Sequence, residues 1–350
     1  MTTTTRRRRV GIAGALVGAA SAGVAAAAMA KRYAVGRIRL RPDTEASEPF
    51  GELRGRERTF VTSDGVELHV ELDGPEDSPV TIVFCHGYCL SSESWHYQRK
   101  DLRENYRLLL WDQRSHGRSQ RAQADEAMID RLGDDLAEVI EEFVPGPCVL
   151  VGHSMGGMTI MALADRHPAL FGDRIRAVAL LATSAGKLAE LTLGLPAALS
   201  KVFHKVAPGT VSLLGKRGAL IDRTRHAGSD IAFLMTRYMG FGDSRNVSPT
   251  VVDFAESMIR ATPTEVFADF YPALMNHDKL AALHVLDPVP TAIMVGEHDW
   301  LTPPDHSRAI AAALPKAQLT EVPDTSHLIQ LERPTVVNDA LRDLVKRVEP

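Results

Sequence analysis

From about residue 56 onward, short apolar runs alternate with longer stretches whose apolar positions recur every three or four residues. The runs at 80–85, 107–111, 148–152, 177–181 and 291–295 are almost continuously apolar, as strands covered on both faces must be. A shorter run of the same kind lies at 319–322. Residues 58–62 and 66–72 flank Ser63-Asp64-Gly65, a turn signal that predicts a hairpin. Helical periods fall between the runs, at 125–143, 155–166, 305–314 and 335–348. Strands alternating with helices predict an α/β fold, with a mostly parallel central sheet of about eight strands and helices on both faces.

One interval breaks the alternation. Residues 187–287 separate the sixth and seventh strands, and Pro196, Pro208, Pro249, Pro263 and Pro272 punctuate the segment. An insertion this long is rarely a structureless loop. It predicts a helical cap over the carboxyl edge of the sheet, where open α/β sheets bind their ligands. Its first part, 188–214, is rich in leucine and alanine and poor in charge, which suits an apolar inner wall.

The candidate chemistry begins at Gly152-His153-Ser154-Met155-Gly156, set between a strand and a helical period. That context predicts a sharp strand-to-helix turn, tolerable only where the neighbours of the serine lack bulk. The turn lifts the Ser154 hydroxyl off the sheet and aims a helix N-terminus at charge developing beside it. A serine hydroxyl is a weak nucleophile unless a base takes its proton, and imidazole titrates in the useful range.

With these motifs the chain resembles the α/β-hydrolase superfamily, in its serine esterase and lipase-like branch, over roughly residues 56–348. Phe84-Cys85-His86-Gly87-Tyr88 resembles the family's His-Gly turn after the third strand. The resemblance implies an oxyanion hole from the backbone of Tyr88 beside the backbone of Met155. Asp112-Gln113-Arg114-Ser115-His116-Gly117-Arg118-Ser119 resembles a scaffolding turn after the fourth strand, with Ser115 where glycine is common. Gly296-Glu297-His298-Asp299 resembles the acid turn, and Asp324-Thr325-Ser326-His327 the histidine loop. The resemblance therefore implies Ser154 as nucleophile, His327 as general base and Asp299 as its orienting acid, with Glu297 and Asp305 as fallback acids. His86, Gly87, His153 and Trp300 are candidates to line the pocket, whereas His298 reads as structural.

Serine at the elbow and Cys89 at the position where epoxide hydrolases carry proline set the chain apart from dehalogenases and epoxide hydrolases of the superfamily. The implied activity is hydrolysis of a carboxylic ester with an apolar acyl group, the substrate being a small molecule or a lipid. No cofactor and no metal are expected. Alternatives are a haloperoxidase-like perhydrolase using the same triad, or a non-catalytic receptor of this fold.

Composition narrows the partners. The 350 residues are 45% hydrophobic and 24% charged, with a net charge of −4, an ordinary globular balance. No basic stretch runs through the body of the chain, which argues against nucleic acid. Three cysteines, Cys85, Cys89 and Cys148, make no disulfide framework and show no metal spacing. Counting back from the two catalytic turns offsets Cys85 and Cys148 by about four residues on neighbouring strands, too far for a bond.

The first residues differ from the rest. Arg6 to Arg9 precede an uncharged run from Val10 to Ala30, with Lys31 and Arg32 after it. As a helix those 21 residues would reach about 31 Å, close to the thickness of a bilayer's hydrocarbon core. Only five of them are strongly apolar, worth about −2 kcal/mol of insertion energy. The expected organisation is a membrane anchor or export signal with the start of a linker at 1–40, a linker at 41–55 and the hydrolase domain at 56–348. This organisation implies a site anchored in, or exported to, a bacterial envelope, with the cytoplasm as the alternative. Oligomeric state is left open.

Overall fold

Eight strands form one sheet: β1 (Arg56–Val61), β2 (Glu67–Asp73), β3 (Thr81–Cys85), β4 (Arg107–Trp111), β5 (Cys148–His153), β6 (Ile175–Leu181), β7 (Thr291–Gly296) and β8 (Gln318–Val322). Their order across the sheet is β1-β2-β4-β3-β5-β6-β7-β8. Only β2 runs against its neighbours β1 and β4; the other pairs are parallel. This computed structural model describes residues 33, 35–190 and 229–348. Its α-helices are α1 (His96–Leu102), α2 (Ile129–Phe143), α3 (Met155–Arg166), α4 (Ser229–Gly240), α5 (Pro249–Ala261), α6 (Thr264–Met275), α7 (Pro304–Ala313), α8 (Ile329–Glu332) and α9 (Pro334–Lys346).

The apolar runs are strands because successive side chains feed two cores. From β3, Val83 and Cys85 join α2, α3 and α7 on one face. Ile82 and Phe84 join Leu102 of α1 and the apolar stripe of α9 on the other. The expected helix at 125–143 starts later: Met128 is extended, and Ala124–Glu126 forms a separate 3-10 turn. Between β6 and β7 the described residues form α4, α5 and α6, and the stretch 191–228 of the expected cap lies outside them. Proline sets the helix starts here, with Pro249 opening α5 and Pro263 capping α6.

The thiols obey the register argument. Thr81 stands opposite Cys148 and Cys85 opposite Gly152, four positions away. All three cysteines are buried, and no disulfide joins any of them. Burial pushes Cys85 and Cys148 each up to about 12, so neither forms a thiolate at neutral pH.

The chain before β1 is tied to the domain. Val35 and Ile38 are buried with Phe233, Phe241 and Val251 from the insertion. Asp43 accepts from the Thr250 hydroxyl at 2.6 Å and from Ser248, holding the start of α5. Glu48 holds His96 and Lys100 at 2.7 Å, and Phe50 stacks on Phe254 at 4.5 Å. The 41–55 stretch, expected as a linker, thus bridges α1 and the insertion. Burial of Val35 and Ile38 alone is worth about 3–6 kcal/mol. A chain lacking residues 1–32 keeps these contacts and should melt within a few degrees of the full chain. One lacking 1–55 should melt about 10 °C lower or aggregate, which thermal unfolding of both will check.

Among the described residues no helix is long and apolar enough to cross a membrane. The run from Val10 to Ala30 lies outside them.

Candidate active site

The end of β5 and the start of α3 meet at Ser154, whose φ of 52° and ψ of −116° place it where a non-glycine residue is strained. The glycines around it follow from contact. A Cβ on Gly156 would lie 2.0 Å from the Cys85 carbonyl, and one on Gly152 would lie 2.6 Å from the Gly156 carbonyl. A Cβ on Gly157 would meet Thr183 at 2.6 Å. Hydrogen bonds lock the turn: the Ser154 amide donates to Leu181 at 2.9 Å, and the Thr183 hydroxyl donates to the Ser154 carbonyl at 2.6 Å.

Asp299 follows β7 and His327 follows β8, which run side by side. The structure brings the two together, with His327 Nδ1 donating to Asp299 Oδ2 at 2.9 Å. Oδ1 of the same carboxylate accepts the amides of Leu301 and Thr302, both at 2.9 Å. The Thr302 hydroxyl donates to Oδ2 at 2.8 Å. Asp299 is therefore a buried carboxylate surrounded by donors, and His327 is held in the tautomer that leaves Nε2 as a base. Gly296 permits the approach, since a Cβ there would lie 2.4 Å from the Thr325 carbonyl.

Tyr88 and Met155 carry the amides expected to bind an oxyanion. Among the described residues neither amide donates to a backbone acceptor outside the regular elements. The lack of a Gly156 side chain lets the turn after β3 lie directly against the first turn of α3.

His86 and His153, expected to line the pocket, are both fully buried. His86 donates from Nδ1 to the Gly87 carbonyl at 2.8 Å and accepts the Gln113 amide at Nε2, 3.0 Å, so it splices two turns. His153 donates from Nε2 to the His327 carbonyl at 2.8 Å, and the two rings lie 4.8 Å apart. Burial is the main force holding both imidazoles neutral, well below the usual histidine range for His153. Gly87 is buried against His153, and Trp300 is half exposed on the acid turn.

Three supporting residues escaped the sequence reasoning. Thr302 shares the acid. Gln113 receives the Thr159 hydroxyl at 2.6 Å and donates to the His86 carbonyl at 2.6 Å. Glu332, its pKa pushed up by burial, accepts the amides of Ser326, Asp243 and Gly242 at 2.8, 2.8 and 3.1 Å. Gln113 and Glu332 act across long sequence separations, whereas the Asp-x-x-Thr spacing of the acid turn carries a local signal. Far from these, Glu57, His69 and Glu71 converge near β1 and β2, but Arg99 and Arg118 already engage the carboxylates.

Comparison with known proteins agrees with this fold. A bifunctional esterase/perhydrolase of Acinetobacter calcoaceticus is 39% identical over 109 residues, 31% of this chain and 39% of that enzyme. A proline iminopeptidase of Pestalotiopsis fici is 24% identical over 298 residues, covering 82% of this chain and 99% of its own. A thermophilic esterase structure from Thermogutta terrifontis superposes with a TM-score of 0.64 at 24% identity, over 85% of this chain and 100% of that one. The family described as the alpha/beta hydrolase fold matches residues 80–334, and the chain belongs to it.

Proposed function

We propose that the protein is a serine hydrolase that cleaves a carboxylic ester with an apolar acyl group through an acyl-enzyme. The observation that carries this reading is Ser154, held strained at the strand-to-helix turn, with the Asp299–His327 pair tied to the preceding His153 through the His327 carbonyl. Ser154 Oγ attacks the ester carbonyl while His327 Nε2 takes its proton, and Asp299 stabilises the imidazolium. The amides of Tyr88 and Met155 receive the negative charge that forms on the carbonyl oxygen. His327 returns the proton to the departing alcohol, and water then releases the acid by the same steps. An apolar acyl group is supported by the leucine- and alanine-rich, charge-poor composition of residues 188–214 in the insertion.

A fluorophosphonate probe should label the native protein at one serine, and peptide mass spectrometry should place the adduct on Ser154. Absence of labelling, or labelling elsewhere, would remove the hydrolase reading. A second reading, perhydrolysis, is favoured by the esterase/perhydrolase relative. It predicts peracid from a carboxylic ester and hydrogen peroxide at the expense of acid. The charge-free run from Val10 to Ala30, flanked by arginines, supports attachment to or export across a membrane. The chain lacking 1–32 should then move from the membrane pellet to the supernatant.

A further inference from the structure

We propose that the corner between α5 and α6 sets the position of the oxyanion turn, with the Tyr88 phenol and the Thr262 hydroxyl as positioning groups. The inference rests on the hydrolase reading, in which the Tyr88 amide receives the oxyanion.

The turn needs outside support. It closes on itself through the Leu90 amide to the Gly87 carbonyl at 3.1 Å. Cys89 within it holds φ at 58°, a region that residues with a side chain seldom occupy. Two grips from the insertion reach it at consecutive residues. The Tyr88 phenol donates to the Phe267 carbonyl, and the two rings stack with centroids 5.2 Å apart at 27°. The Thr262 hydroxyl lies 3.3 Å from the Cys89 carbonyl and 3.3 Å from the Met258 carbonyl of its own helix, so its one proton is shared between the turn and α5. Thr262 caps the end of α5 and Phe267 lies in the first turns of α6, so one corner supplies both bonds.

That corner is itself fixed to the loop after β4. Arg121 binds Asp269 at 2.9 Å, and Phe270 packs edge-on against the buried His116 at 5.3 Å. Burial keeps the Tyr88 phenol protonated, as a donor must be. The chain of contacts thus runs from the loop after β4 through α6 to the turn whose Tyr88 amide is proposed to meet the substrate oxygen. Misplacing such a donor by about 1 Å costs on the order of 10²-fold in rate, because it acts only where charge develops.

The test uses Tyr88→Phe, which keeps the stacked ring, and Thr262→Val, which keeps the shape, beside Thr262→Ser, which keeps the hydroxyl. Each variant is assayed on a p-nitrophenyl ester and titrated with a trifluoromethyl ketone, which adds to the serine and places an oxyanion in the hole. Tyr88→Phe and Thr262→Val should lose about 10- to 100-fold in kcat with KM within about threefold. Inhibition by the ketone should weaken in parallel, Thr262→Ser should stay near wild type, and melting temperatures should hold within a few degrees. Wild-type kcat in Tyr88→Phe would overturn the proposal. So would a loss of kcat with unchanged ketone affinity, a loss confined to KM, or a rate loss that tracks only a lowered melting temperature. If wild type neither binds the ketone nor labels with fluorophosphonate, the hydrolase reading has failed instead.

Discussion

Ser154→Ala should cut ester turnover by about 10⁴-fold or more, and Asp299→Asn should come close to it while the protein stays folded. The geometry says why the second change is severe. Oδ1 of Asp299 faces two backbone amides, from Leu301 and Thr302. An asparagine must keep its carbonyl oxygen on that side, because an NH2 group there would oppose both donors. The NH2 group then occupies the Oδ2 position, 2.9 Å from His327 Nδ1. His327 must accept there and carry its proton on Nε2, the atom that should receive the serine proton. Circular dichroism should show a native spectrum and kcat should collapse at neutral pH. Turnover above about a tenth of wild type in Ser154→Ala would show that another group is the nucleophile.

Gly156→Ala is expected to prevent folding or to lower stability by more than about 4 kcal/mol, a range reached by few single substitutions. The added methyl would stand 2.0 Å from the Cys85 carbonyl and 2.9 Å from that of His86. Both atoms are backbone at the end of β3, so no side chain can swing away. Relief requires α3 to separate from the sheet, opening the packing of Met158, Ile160 and Met161. Gly36→Ala is the control, since a Cβ there meets nothing within 4 Å. Soluble expression and melting temperature decide it: a Gly156→Ala protein melting within about 5 °C of wild type would mean that the turn is far softer than these contacts imply.

The strands and the elbow were legible because their constraints are local. A strand buried on both faces must be apolar throughout, and a helix pressed against backbone must be bare at fixed positions. Helix α1 was invisible for the opposite reason. Its buried face includes Gln98 and Arg99, which answer Asn338, Glu71 and Asp73 far along the chain. A polar interior satisfied by distant partners leaves no hydrophobic period to read. Glu332 and Gln113 were missed on the same account. The burial of His86 and His153 between turns was not legible either, because proximity in a motif does not tell whether a ring faces solvent or the core. Asp299 and His327 were legible through the motifs of the resemblance, whereas Thr302, three residues beyond the acid, offered only a spacing whose use shows once the turn after β7 is folded.

The lacing around Glu332 matters to anyone who would recombine this enzyme with its relatives. Besides Glu332, the Leu328 amide donates to Gly240 at 2.9 Å, and the Ser326 hydroxyl sits between the Met239 carbonyl at 3.0 Å and the His298 carbonyl at 2.9 Å. The segment after β6 is therefore no interchangeable cassette: its residues 239–243 are stitched into the loop that carries His327. A chimera that imports a foreign insertion at the ends of β6 and β7 would discard these stitches along with the donor's specificity. Crossovers placed after Asp243 would keep α4 stitched to the histidine loop, but the stretch they exchange would still carry off the α5–α6 corner that grips Tyr88 and Cys89.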